Sequence, residues 1–271
     1  VSAKLAAQPR VPGMMAQLTW AHHVVLLTKL KNNEYRNFYM QKAVQNGWSS
    51  RILALQIETG LHLRAGKAIS NFKDTLPAPQ SDLAGESFKN PYLFGFLDMA
   101  GKMQERELEK AFIANLKKFM LELGKGFAYV GNQFALNIGA DDYFLDLLFF
   151  NYHLNCFVIF EIKMDAFKPE YAGKLNFYIN IVDDKVKTDA HNPSIGILLC
   201  NTPDKTVVEY ALRGLSNPLG VADYQLSKAL PKRLKNDLPT VEELQEQMEI
   251  GFKKLQPPRG PSISRSKKKK G

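Results

Sequence analysis

The N-terminal quarter of the chain repeats apolar residues at helical spacing. Leu18, Val25, Leu26 and Leu30 mark a first helix; Asn32 or Asn33 can cap a second that runs to Asn46, where Gly47 supplies a stop. Ser49 can cap a third helix, which places Ile52, Leu53, Leu55, Ile57 and Leu61 against Arg51, Gln56 and Arg64 on its other faces. Helix, glycine-containing turn and helix is the outline of a helix-turn-helix, which would lay the third helix in a major groove. Ordinary helical bundles share that outline. Residues 1–66 are therefore read as a helical domain.

Periodicity then fades. Residues 67–101 carry Pro77, Pro79, Pro91 and several Gly and Ser, and read as a connection. An amphipathic helix follows, with Leu108, Phe112, Leu116, Phe119 and Leu123 in one stripe and Gly124 ending it. Beyond it the pattern turns to strands: Phe127 to Ile138, Tyr143 to Asn151 and Cys156 to Lys163. Pro169 suits the first turn of a helix reaching about Val182, and Ile195 to Cys200 and Val207 to Leu212 read as two more strands. Thr240 and Glu243 form a capping-box pair ahead of Val241, Leu244, Met248, Phe252 and Leu255, the last amphipathic helix. This order predicts an α/β (α+β) domain over 102–256, a mixed sheet flanked by helices.

Composition alters this picture in two places. A 271-residue chain with 45% hydrophobic side chains can bury a substantial core, and no apolar stretch approaches the ~20 residues that span a bilayer. With no secretory signal pattern ahead of them, Cys156 and Cys200 are expected to be reduced core residues of a cytoplasmic protein. The first residue is Val, so the chain is expected to be incomplete at that end. The net charge of +9 is concentrated: Lys253 to Gly271 holds eight basic residues and no acid, which leaves 28 basic against 27 acidic residues elsewhere. The tail, 257–271, is expected to be disordered, either drawn to phosphates or simply solvated.

Candidate chemistry lies on two apolar strands, Phe144-Leu-Asp-Leu-Leu-Phe-Phe150 and Phe157-Val-Ile-Phe-Glu-Ile-Lys163. If they pair as a hairpin centred between His153 and Leu154, facing residue numbers sum to 307, which sets Asp146 opposite Glu161. Lys163, two residues on, projects from the same face. Facing carboxylates repel, and burying one unpaired costs several kcal/mol, so a counter-charge is required. A Mg²⁺ or Mn²⁺ ion held by Asp146, Glu161 and the Ile162 carbonyl would supply it. A structural ion pair of Lys163 with either acid accounts for the same charges without chemistry.

Several longer motifs occur together: Leu121-Glu-Leu-Gly-Lys-Gly-Phe-Ala-Tyr-Val-Gly-Asn-Gln133, Asp146-Leu-Leu-Phe-Phe150, Glu161-Ile-Lys163, Phe167-Lys-Pro-Glu-Tyr-Ala-Gly-Lys-Leu-Asn-Phe-Tyr178 and Asn192-Pro-Ser-Ile-Gly-Ile-Leu-Leu-Cys200. In this order they resemble the YhcG family of PD-(D/E)XK nucleases. Trp20-Ala-His-His23, Asn46-Gly-Trp-Ser49 and Pro77-Ala-Pro-Gln-Ser-Asp82 resemble that family's helical N-terminal domain, here read as truncated. The resemblance covers about residues 16 to 226. It implies a restriction-endonuclease-like fold and a Mg²⁺-dependent endodeoxyribonuclease, with Asp146 and Glu161 as metal ligands and Lys163 as the catalytic lysine. It also implies a Glu from the first core helix, for which Glu109 is chosen over Glu107 and Glu105. Leu145 stands where the superfamily's name calls for Pro; the carboxylate beside it is unaffected.

Lys174 and Tyr178 share a helix face and are candidates to meet a DNA backbone, as is Gln133 to aid metal or substrate; packing and solvent are equally good accounts. His22 and His23, adjacent on a helix, cannot jointly clasp a metal. Gly124-Lys-Gly126 lacks the spacing of a phosphate loop. Two functions are thus carried forward, a DNA endonuclease and a non-catalytic nuclease-fold DNA- or protein-binding subunit of a defence or restriction-type system. A protein partner at the N-terminal helices and a homodimer are candidate assemblies.

Overall fold

The computed structural model describes residues 11–97, 104–139, 141–201 and 203–226. The helix expected after Thr240 and the basic tail lie outside these residues. The N-terminal part is a bundle of α1 (Val11–Ala16), α2 (Trp20–Lys29), α3 (Asn33–Asn46), α4 (Ser50–Glu58) and α5 (Leu61–Arg64). Its boundaries follow local chemistry. Asn32 accepts a hydrogen bond from Glu34 N, Ser49 accepts one from Ile52 N, and Gly47 closes α3 at φ 61°, a left-handed conformation that costs glycine little. Leu26, Tyr39, Leu53 and Ile57 form its core.

The stretch expected to be a connection is instead folded into the larger unit. It forms β1 (Ile69–Ser70), α6 (Phe72–Thr75), α7 (Gln80–Ser87), β2 (Tyr92–Leu93) and a 3-10 turn at Gly95–Leu97. Phe72, Phe88, Tyr92 and Phe94 are each at most 1% exposed. Aromatic residues spaced too irregularly for one period still reach the core when each is carried by its own short element.

Next come α8 (Glu105–Ala114) and α9 (Leu116–Leu123), two helices where one was expected. They part at Asn115, whose side chain bonds back to Ala111 O. The remaining elements are β3 (Phe127–Ile138), β4 (Asp141–Asn151), β5 (Cys156–Ala166), α10 (Pro169–Lys185), β6 (Ile195–Asn201), α11 (Lys205–Leu212) and β7 (Leu219–Gln225). The segment Val207 to Leu212, expected as a strand, is the helix α11. Asp204 caps it by accepting from Val207 N, and Val208 and Leu212, four apart, are its buried residues. The strand expected there is β7, further along.

The sheet runs β1-β7-β6-β5-β4-β3, with β2 added parallel to β7. β3, β4 and β5 form an antiparallel meander, whereas β5, β6 and β7 pair in parallel, so the sheet is mixed. One face packs Phe112, Phe119, Phe149 and Phe160 under α8 and α9; the other packs Ile159, Leu175, Ile179 and Val208 under α10 and α11. Gly196 permits that second contact, because a Cβ there would lie 2.7 Å from Leu175 Cγ. Cys156 and Cys200 are buried free thiols, and burial pushes both up to about 12. Among the described residues no helix is long and apolar enough to cross a membrane.

Candidate active site

The β4–β5 hairpin sets the register of the site. Its pairs run from Asn151↔Cys156 to Leu147↔Phe160, each summing to 307 as expected. At the next position the ladder gives way: Asp146 Oδ2 accepts Ile162 N at 2.8 Å, so a side chain takes the place of a strand carbonyl. Glu161, in the adjoining register position, is fully buried. Its two oxygens are unequal. Oε1 accepts Lys174 Nζ at 2.6 Å and lies 3.3 Å from Lys163 Nζ, while Oε2 is buried with no hydrogen-bond partner among the described residues.

The acids bear on one another. Burial first, and then the Glu161 charge, raise the Asp146 carboxyl to about 7. Burial opposes the charge on Lys163, but Glu161 and Glu105 outweigh it and hold that ammonium above the ordinary lysine value. The same contest, won by Glu161, holds Lys174 well above the lysine range. Tyr178, one turn from Lys174 on α10, is buried, which raises its phenol; the Lys174 ammonium lies 5.1 Å from its ring centre.

Three acids on α8 were candidates for the helix carboxylate, and they go to different places. Glu105 meets the site, accepting Lys163 Nζ at 2.9 Å and Met164 N at 3.4 Å. Glu107 caps its own helix by accepting Gln104 N. Glu109, the residue chosen from sequence, is 4% exposed and is held by Asn132 Nδ2 at 3.2 Å and Gln133 Nε2 at 2.7 Å. Glu109 has no hydrogen bond or ion pair to Asp146, Glu161 or Lys163. Gln133 is nonetheless close in register: its neighbours Asn132 and Phe134 pair with Leu147 and Leu145, which flank Asp146. Its φ of 44° is strained for a residue with a side chain, beside the β-bulge between Tyr129 and Gly131.

Among the described residues no group of three or more His, Cys, Asp or Glu side chains is gathered as a metal cluster. The donors available at the site are hard oxygens of two carboxylates, Asp146 and Glu161, whose charges act on one another. A buried carboxylate oxygen without a partner is a costly arrangement, and a small divalent cation that keeps most of its water suits such a donor set. The residues present therefore fit a Mg²⁺-like ion. Sequence reasoning gave Lys174 no link to Glu161, since a helix residue's partner on a strand thirteen residues earlier leaves no local signal.

Comparisons with known proteins bear on this geometry. The model of the YhcG PDDEXK nuclease domain matches residues 85–239, more than half of the chain. The chain belongs to the YhcG PDDEXK nuclease family. That YhcG match begins inside the stretch that the sequence pattern assigned to a connection, in keeping with its place in the sheet. The DUF1016 N-terminal domain matches residues 3–64, the helical bundle. The Escherichia coli (strain K12) protein named "Putative nuclease YhcG" is 34% identical over 219 residues, 79% of this chain and 58% of that protein. The chain thus spans somewhat over half the length of this relative. Among solved structures, a repair endonuclease from Pyrococcus abyssi aligns at 16% identity over 49% of this chain and 50% of its own, with a TM-score of 0.30. An EndoMS–dsDNA complex aligns at 17% over 49% and 47%, also at 0.30. Overlaps that loose bear on neither activity nor ligand.

Proposed function

We propose that this chain is a metal-dependent endonuclease that hydrolyses DNA phosphodiester bonds at Asp146, Glu161 and Lys163. The observation that carries the reading is the Glu161 carboxylate, fully buried beside a second acid with Oε2 left unpaired. Asp146, Glu161 and the Ile162 carbonyl are the residues that would hold Mg²⁺ or Mn²⁺. Bound there, the ion supplies Lewis-acid stabilisation of charge building on the phosphate and lowers the pKa of a coordinated water.

The chain's own groups do the rest. Lys163, whose ammonium lies 3.3 Å from Glu161 and 2.9 Å from Glu105, acts as a fixed cation that orients the attacking water and offsets charge on the phosphate. Glu105 holds that ammonium from the α8 side and is a positioning residue. Glu109, expected as the catalytic glutamate of the first core helix, braces Gln133 and the bulged strand beside Asp146. Lys174, 44% exposed at its side chain, can turn to a phosphate of the DNA backbone when Glu161 is otherwise neutralised, with Tyr178 OH as a neighbouring donor.

The test is cleavage of duplex, single-stranded and branched DNA with Mg²⁺ or Mn²⁺. All three substrates left uncut by folded protein would overturn the proposal, whereas loss of cleavage in a folded Lys163→Ala variant supports it. A second reading draws on one observation, that Lys163 and Lys174 already neutralise Glu161 Oε1. On that reading the domain is a non-catalytic DNA- or protein-binding subunit, and Asp146→Asn leaves salt-dependent DNA binding unchanged in a protein that never cuts.

A further inference from the structure

A cavity of mixed apolar and charged lining lies at the seam between the helical bundle and the sheet, at the far end of the β4–β5 hairpin. Its volume is about 440 Å³, within the range of small-ligand sites. His153, in the hairpin turn, lines it, which puts it roughly 20 Å along the strands from Asp146 and Glu161. The two sites share no residue.

The seam is held by Glu122 on α9. Its Oε1 accepts Arg64 Nη1 at 2.6 Å and Leu93 N at 3.0 Å, its backbone carbonyl accepts Lys89 Nζ, and its Oε2 lies 3.9 Å from that ammonium. Arg64 and Lys89 are 0% and 6% exposed. One buried carboxylate thus faces two buried cations, and the surplus positive charge comes to the cavity wall at Lys89. Burial pulls the Lys89 ammonium down to about 8, with Glu122 opposing. Lys42 and Lys125 add charge to the same wall, against the exposed Glu86 alone among the lining acids.

Two further features narrow the ligand. Gln56, 4% exposed, lines the cavity with a buried Oε1 that has no hydrogen-bond partner among the described residues. An amide oxygen in that state calls for an N–H donor. Trp48 and Phe127 supply aromatic surface to the same space. Anion, N–H donor and a flat ring occur together in a nucleotide, whose base stacks on aromatic side chains.

We propose that this cavity is a nucleotide site, with the phosphate on Lys89, Lys125 and Lys42 and the base between Trp48 and Gln56. The ligand is either a free mononucleotide or the 5′-phosphorylated end of a nucleic-acid strand; both present a phosphomonoester beside a base. The inference does not depend on cleavage at Asp146 and Glu161.

The chain has two tryptophans, and Trp20 is 76% exposed on the bundle, so Trp20→Phe leaves Trp48 as the reporter. The experiment titrates the 271-residue chain with Trp20→Phe and Asp146→Asn, kept in EDTA, with the four deoxynucleoside monophosphates. The expected result is saturable quenching with a dissociation constant below about 1 mM. Lys125→Ala weakens it about tenfold, and Gln56→Leu about fivefold. The second variant discriminates sharply. A merely structural Gln56 would be replaced by leucine with equal or better stability and no effect on binding. Tighter binding of a 5′-phosphorylated tetranucleotide than of its 5′-hydroxyl counterpart and of the monophosphates assigns the strand end; the reverse assigns the free nucleotide. No saturable response to any nucleotide, unaltered binding in both variants, or equal quenching by inorganic phosphate alone overturns the proposal.

Discussion

Glu122 and Glu161 are both buried carboxylates on core elements, each beside two cations, and they are satisfied to different degrees. Glu122 engages a guanidinium, a backbone N–H and an ammonium, and neither of its oxygens is left buried and unpaired. Glu161 gives Oε1 to two lysines, leaves Oε2 without a partner and sits beside a second acid. A buried charge that serves only the fold is surrounded by its partners, because each missing one costs stability. The shortfall at Glu161 marks a place where the fold has left room for something else. At the seam the imbalance has the opposite sign, one acid to two cations, and the cavity beside it is the place for an anion.

The same isosteric substitution at the two positions sharpens this contrast most. Glu122→Gln strands Arg64 and Lys89, and is expected to cost about 3–5 kcal/mol in urea unfolding. Glu161→Gln relieves repulsion with Asp146, leaves Lys163 its Glu105 partner and releases Lys174 to solvent, so its stability cost stays within about 1 kcal/mol. Equal losses at the two positions would break the comparison. For cleavage the order reverses: Glu161→Gln lowers the rate about 10²–10³-fold in a plasmid-nicking assay, and Glu122→Gln, measured well below its melting point, far less.

The raised Asp146 carboxyl gives a pH signature in metal-free protein. Below its ordinary value of 3.8 both the folded and unfolded states hold the proton, and the stabilising contribution is fully present. As pH rises towards about 7 the unfolded state loses the proton while the folded state keeps it, so the contribution is lost through that window. The fall is on the order of 4 kcal/mol, and Asp146→Asn removes it; a variant with the same pH profile as the parent would show that burial and Glu161 do not raise the Asp146 carboxyl. The smallest effect concerns the helix that brings Lys174 to Glu161. Gly196→Ala forces Leu175 and Ile179 off β6, expected to cost about 1–3 kcal/mol and to weaken DNA binding through Lys174 before it alters metal binding. Unchanged Tm in a melting curve would place that contact elsewhere.

Legibility along the chain followed the range of the interactions involved. Caps at Asn32 and Ser49, the stop at Gly47 and the β4–β5 register all act between residues close in sequence, and could be read. The α11 segment could not, since Val207 to Leu212 is apolar enough for a strand and only the Asp204 cap and the packing of Val208 and Leu212 make it a helix. Nor could the choice between Glu105 and Glu109. Four residues apart, they share one face of α8, so periodicity ranks them equally; which turn lies beside Lys163 depends on how far the helix slides along the sheet.

By itself the sequence determined the caps and stops of the N-terminal helices, the hairpin register that sets Asp146 beside Glu161, and the alternation that puts Lys163 on the same face, all consequences of short-range geometry. The tertiary structure alone decided that Glu105 rather than Glu109 reaches Lys163, that Lys174 turns to Glu161, and that Arg64 finds Glu122 fifty-eight residues away. Each of those contacts joins elements whose relative placement comes from burying apolar faces of the whole sheet, a sum over many side chains that leaves no mark at any single position.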